Sequence, residues 1–102
     1  MGTRGYRLRP KARDDLAEIW QYTATRWSRA QADRYYHAII DAIEGLVATP
    51  ELSRDESSLR PGYRSKLCRS HIIYFRVADD LTLDIVRILH QRMDVRTHLP
   101  EG

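Results

Sequence analysis

The residues with the most chemistry to offer cluster near the end of the chain. From Leu83 to Leu99 an apolar run gives way to a polar segment carrying Arg87, His90, Arg92, Met93, Arg96 and His98. Arg64, Lys66 and Arg69 precede it and add further cations. A set of guanidinium and imidazole groups can hold a phosphate backbone, stabilise a pentacovalent phosphate during RNA cleavage, or grip acidic residues of a protein. The plainer role is a solvated basic edge that keeps strands from pairing, and composition by itself favours that.

Other chemistries find less support. Cys68 and His71 are an odd number of residues apart. Along one continuous strand their side chains would point to opposite faces, so no thiol–imidazole pair is expected. The histidines His37, His71, His90 and His98 lack ligand spacing, and there is no second cysteine, so no metal is expected. Neither a glycine-rich phosphate loop nor a Ser-His-Asp order is present, and no cofactor is implied.

Aromatic residues form a second candidate surface. Trp20, Trp27, Tyr35 and Tyr36 recur at helical spacing, which suits a core more often than a stacking platform. Two helices over one small sheet cannot bury all of these together with Tyr22, Tyr63 and Tyr74, so part of the set should face a partner. Ile72, Tyr74 and Arg76 fall on the sheet face opposite the helices, either as a half-wet surface or as a groove for a chain.

The scaffold that must position these groups is small. The 102 residues make a single domain, 1–102, with 42% hydrophobic and 30% charged residues, an ordinary globular balance. A net charge of +3 leans mildly towards acidic partners. No apolar run reaches the ~20 residues of a membrane span, and the first residues lack a signal-peptide core. One cysteine allows no internal disulfide, so a cytoplasmic setting is expected.

Hydrophobic periodicity predicts the elements. Arg4 to Leu8 reads as a short strand. Pro10 then opens a helix whose apolar face is Ala12, Leu16, Ile19, Trp20, Thr23 and Trp27, with Asp14 and Asp15 near its dipole-positive end. Ser28 and Gln31 form a capping-box pattern that starts a second helix, with Ala32, Tyr35, Tyr36, Ile39, Ile40, Ile43, Leu46 and Val47 inward. A polar loop runs from Glu51 to Gly62 with at most one helical turn. Three strands follow: Tyr63 to Leu67, His71 to Val77 and Leu81 to His90. In the last, Leu83, Ile85 and Leu89 share one parity and Val86 and Ile88 the other. Both faces are then partly apolar, so the strand is either central or covered on its second side. The expected fold is α+β, in the order β-α-α-β-β-β, with a helical hairpin packed on a small, mainly antiparallel sheet.

In this order the chain resembles the ParE branch of the RelE/ParE toxin superfamily over nearly its whole length. The likeness lies in Tyr6-Arg7-Leu8 with Pro10, Ala12 to Leu16, Ile19-Trp20-Gln21-Tyr22, Arg60 to Ser65, His71 to Val77 and Val86 to Asp94. It implies the toxin of a type II toxin-antitoxin system, neutralised by a ParD-like antitoxin that also provides indirect association with DNA. The ParE branch is linked to inhibition of DNA gyrase, and the RelE branch to cleavage of ribosome-bound mRNA. In the nuclease branch, Arg92 and His98 occupy the positions of two catalytic groups, whereas Ile72 stands where an arginine is expected and Lys66 is alone in its strand. Contact with gyrase is therefore preferred to catalysis, through Arg87, His90, Arg92, Met93, Arg96 and His98. An antitoxin-binding co-repressor of weak toxicity is a further alternative. Trp20, Tyr35, Tyr74 and Arg76 are the expected antitoxin contacts. The arm from Arg92 onward is expected to be dispensable for folding.

Overall fold

In a computed structural model, residues 2–100 are described. The chain runs β1 (Gly5–Leu8), α1 (Pro10–Arg26), α2 (Arg29–Ala48), a 3-10 turn (Pro50–Leu52), β2 (Arg54–Asp55), β3 (Tyr63–Cys68), β4 (His71–Val77), β5 (Thr82–His90) and a second 3-10 turn (Val95–Thr97). The strands form one sheet in the order β1-β5-β4-β3-β2. β1 lies parallel to β5 and every other pair is antiparallel. β5 is thus central along its first half, as its two apolar faces predict. The two-residue β2, inside the expected loop, is the one strand that periodicity missed; two residues carry no period.

The helices start where their sequences allow. Pro10 occupies the first helical turn of α1, where its missing N–H costs nothing. The Ser28 hydroxyl caps α2 by accepting from the Gln31 amide at 3.0 Å. Gln31 completes only half of the box, because its side-chain carbonyl accepts from Arg34 instead. Between the two helices only Trp27 and Ser28 remain, so they fold back as a hairpin.

One face of the sheet packs on that hairpin. Ala12 and Leu16 of α1 and Ile39, Ile43 and Leu46 of α2 meet Ile73, Phe75, Leu83, Ile85 and Ile88. Thr23 is buried at the same face by donating its hydroxyl to the Ile19 carbonyl at 2.7 Å. Trp27, expected on this face, is 70% exposed, because it lies beyond the last turn of α1 where the chain reverses. Tyr36 is likewise exposed.

The opposite face is covered as well. Tyr63, Tyr74, Val86, Leu89 and Leu99 form a second cluster, flanked by Leu59, Ile72 and Val95. Its membership corrects the expected parity of β5. Phe75 pairs with Ile85 but Tyr74 pairs with Arg87, so Val86 is an extra residue in β5. Beyond this bulge the facing inverts: Ile88 joins the helix-side core and Leu89 the far side. The arm after β5 is therefore not dispensable for folding, since Leu99 is part of a core.

Removing buried volume should separate these layers from the surface. Ile39→Ala or Phe75→Ala should lower the unfolding free energy by ~2–5 kcal/mol, because each leaves a cavity between hairpin and sheet. Trp27→Ala should stay within ~0.5 kcal/mol. Urea unfolding measures all three, and unchanged midpoints for the first two would contradict the packing described.

Candidate functional site

β1 ends at Leu8, so beyond Ile85 the edge of β5 has no neighbouring strand on that side. α1 supplies the missing partner. A carboxylate oxygen of Asp15 accepts the Ile88 amide at 2.9 Å. The same carboxylate accepts both Nε and Nη2 of Arg87 at 2.8 Å, a bidentate pair that is nearly buried on both sides. Asp15 thus lies one turn too deep for the helix-dipole role expected of it, and no acidic residue occupies the first turn of α1. Its spacing gave the signal: three residues after Ala12 and four before Ile19, it sits on the apolar face. A carboxylate there requires a buried donor set.

Arg87 passes this anchorage on to the arm. Its Nη1 donates to the His98 carbonyl at 3.1 Å, while the Asp15 carboxylate holds its pKa above the ordinary arginine value. Leu99 next door enters the far-side cluster, and Arg60 donates to the Pro100 carbonyl. Between these anchors the arm is braced from within. The Asp94 carboxylate accepts the Arg96 amide, and its carbonyl accepts the Thr97 hydroxyl and, at 2.8 Å, Nδ1 of His98.

The expected target-facing set therefore divides. Arg92, Met93 and Arg96 are exposed on the arm. His98 is half-buried, and Arg87 is inside the fold as the strut that holds the arm. His90 closes β5, where its Nδ1 accepts the Arg92 amide at 3.1 Å and its ring meets that of His71 edge-on. Arg92 and His98, the pair implied for RNA cleavage, are not joined by any hydrogen bond among the described residues.

The four expected antitoxin contacts separate too. Trp20 lines a groove of about 520 Å3 on the outer side of the hairpin with Ala17, Tyr36 and His37, and donates its indole N–H to Asp33. The Tyr35 hydroxyl lies between His71 Nδ1, at 2.7 Å, and the Ser70 amide. Tyr74 is only 5% exposed, packed under the chain's own arm, which removes it as a partner contact. Arg76 is half-exposed, opposite Asp84 and Tyr63 in register.

Cys68 and His71 also require correction. They belong to different strands joined by the Arg69-Ser70 turn and pair directly, so they share a face. Arg69 takes a left-handed φ of 56° there. The pair is nonetheless not reactive. The Cys68 thiol donates to the Ala38 carbonyl, and burial pushes its pKa up. His71 is pulled down to about 4, by burial first and the neighbouring His90 second. The ring is therefore neutral near pH 7, with its Nδ1 hydrogen-bonded to the Tyr35 hydroxyl. His71 and His90 also line a cavity of about 320 Å3 with Asp15, Glu18, Tyr22 and Met93. No group of three His, Cys, Asp or Glu among the described residues is arranged to hold a metal, and no described helix is long and apolar enough to cross a membrane.

Known proteins share this architecture and sequence. The family model for the ParE toxin of the type II toxin-antitoxin system parDE matches residues 6–95. Toxin ParE1 of Mycobacterium tuberculosis (strain H37Rv) is 43% identical over 94 residues, covering 92% of this chain and 96% of that protein. Toxin ParE1 of Caulobacter vibrioides is 37% identical with the same coverage. Toxin ParE of Escherichia coli is 33% identical, covering 94% and 93%. A chain of the solved chromosomal ParDE TA system from P. aeruginosa shares the fold, with a TM-score of 0.73 at 21% identity over 88% of this chain and 96% of that one.

Two tests follow from the geometry. Asp15→Asn removes one partner of a nearly buried ion pair, and should cost about 3–5 kcal/mol and speed hydrogen exchange at the Leu99 amide. Restoring neutrality with Arg87→Met should recover part of the stability but not the arm. Exchange at Leu99 that is as slow in Asp15→Asn as in the parent would remove Asp15 as the anchor.

The second test uses pH. A histidine whose folded pKa is depressed contributes stability that is full above its unfolded value and lost as pH falls. Between pH 6.5 and about 4 the thermal midpoint should therefore drop, and His71→Gln should flatten that slope. Parallel melting-temperature curves for the two proteins would refute a neutral, buried His71.

Proposed function

The chain belongs to the ParE toxin family of type II toxin-antitoxin systems, and from that premise we propose that it arrests growth by binding DNA gyrase in the cytoplasm through its C-terminal arm. The supporting observation is the arm itself. Asp15, Arg87 and Leu99 fix its backbone, while Arg92, Met93 and Arg96 project outward. A braced segment with two cations and one thioether loses little conformational freedom on docking, and such contacts suit an acidic, partly apolar protein surface.

Contact fits these residues better than catalysis. Arg87, the guanidinium bonded to the His98 residue, is already engaged by Asp15. Nδ1 of His98 is tied to a backbone carbonyl rather than to a carboxylate that would orient it for proton transfer. A ParD-like antitoxin would silence the toxin by laying a segment in the groove lined by Trp20 and Tyr36, with Tyr35 and Arg76 as outlying contacts. Association with DNA would then be indirect, through that antitoxin.

Point variants test this cleanly, whereas truncation from Arg92 would also remove Leu99 from its cluster. Arg92→Ala, Met93→Ala and Arg96→Ala should each weaken growth arrest in a graded way, as shared contact energies do. Plasmid supercoiling in induced cells should change in parallel, and ribosome-bound mRNA should remain uncut. Codon-position cleavage that disappears in His98→Ala would overturn the gyrase reading and make the protein a nuclease.

A further inference from the structure

A third cavity separates the start of α1 from the end of the arm, and its chemistry differs from the other two. It holds about 340 Å3 and is lined by Arg9, Lys11, Arg87 and His98 over apolar Val86 and Leu99. No carboxylate is among its lining residues, whereas Asp15 and Glu18 line the cavity at the end of β5 and Asp33 lines the hairpin groove. The acids that balance its guanidinium groups sit elsewhere. Asp84 holds Arg9 at 2.7 Å and Asp15 holds Arg87, both from buried positions. These pairs fix the two guanidinium groups without putting an anion into the cavity.

Lys11 is exposed and enters no ion pair among the described residues. The backbone behind it is short of acceptors as well. Arg9, at the N-cap, makes no side-chain cap. The first turn closes with the Arg13 amide on the Arg9 carbonyl, and the amides of Lys11 and Ala12 have no acceptor among the described residues, although Ala12 is fully buried. Across the cavity the His98 imidazole donates through Nδ1 to Asp94, which leaves Nε2 for another partner.

We propose that this cavity binds the phosphoryl group of a nucleoside monophosphate, either a free nucleotide or the 5′-phosphate end of a nucleic acid. Lys11 and the first amides of α1 form one wall of donors, and the His98 ring on the arm adds Nε2–H once a bound anion holds it as imidazolium. A phosphoryl group presents three oxygens to meet both, while a carboxylate presents two in one plane. The volume exceeds what a phosphate alone fills, and the exposed rings of Pro10 and Pro100 give the attached base an apolar rim. The site is separate from the gyrase-facing side chains, since none of Arg92, Met93 and Arg96 lines it.

The test is an amide NMR titration of the full chain at low salt. The probes are AMP, adenosine, the dinucleotide ApA with and without a 5′-phosphate, and a hexaglutamate peptide. AMP or phosphorylated ApA should shift the Lys11 and Ala12 amides saturably, while adenosine and unphosphorylated ApA should not. Lys11→Gln, at an exposed position, should weaken binding roughly tenfold, the size of one charge-assisted contact, and Arg92→Gln should leave it unchanged. Binding of AMP but not of phosphorylated ApA assigns the source to free nucleotides, binding of the phosphorylated dinucleotide alone assigns it to nucleic-acid ends, and binding of both shows that the site takes the phosphoryl group from either. The proposal fails if no phosphorylated probe saturates, if adenosine matches AMP, if Lys11→Gln binds as the parent does, or if only hexaglutamate shifts these amides.

Discussion

The fold depends on one carboxylate finishing a sheet that the chain leaves short. β1 covers only Thr82 to Ile85 of β5, and an unpaired strand edge in the middle of a domain leaves backbone donors without acceptors. Asp15 answers that deficit at Ile88 and neutralises Arg87 with the same two oxygens. A nearly buried charge pair of this kind contributes little net stability compared with an apolar substitute, because desolvation offsets most of the attraction. Its value lies in geometry. Leucine at position 15 could fill the volume, but it could not tie the hairpin, the strand edge and the arm to one point.

The bulge at Val86 makes that tie possible. Without the extra residue, strict alternation would carry Leu89 to the helix side with Leu83 and Ile85, and Ile88 to the far side. With it, Val86 and Leu89 form the floor on which Leu99 rests, and the end of β5 keeps an apolar residue towards each layer. A domain of 102 residues has little apolar area to spare. Spreading it over two faces is feasible here because the arm covers the second face at the cost of a few residues. The segment proposed to meet gyrase and the cover of the second cluster are thus one piece of chain, placed by the same packing that keeps the sheet dry.

Strong periodicity made most of the architecture legible in the sequence. The hairpin with its Pro10 and Ser28 boundaries, the alternation of β4 and the two-faced β5 followed from spacing alone. What escaped has a common physical cause: each feature depends on a partner distant in sequence. The far-side role of Leu89 follows from a one-residue bulge that no local pattern announces. Cys68 and His71 face the same way because a turn separates them, and Arg69 is a poor signal for a left-handed residue that glycine would usually mark. Arg87 looked like a free cation until Asp15, seventy-two residues earlier, was placed beside it. Tyr74 looked like surface until the arm folded over it. Asp15 itself was readable, since a carboxylate on an apolar helix face is the kind of local conflict that points to a buried partner.

The distribution of charge explains why the arm can present cations at all. The chain carries 17 lysines and arginines against 14 aspartates and glutamates, a surplus too small to make every surface basic. Position therefore matters more than total. Asp84 and Asp15 are buried against Arg9 and Arg87 at the sheet, so four charges cancel in the interior. Among the described residues of the arm the one carboxylate, Asp94, accepts the Arg96 amide and forms no ion pair with Arg92 or Arg96. Acids are spent on backbone geometry and guanidinium groups are left facing out. A partner meeting this surface would find its cations on a backbone set by the folding of residues it never touches.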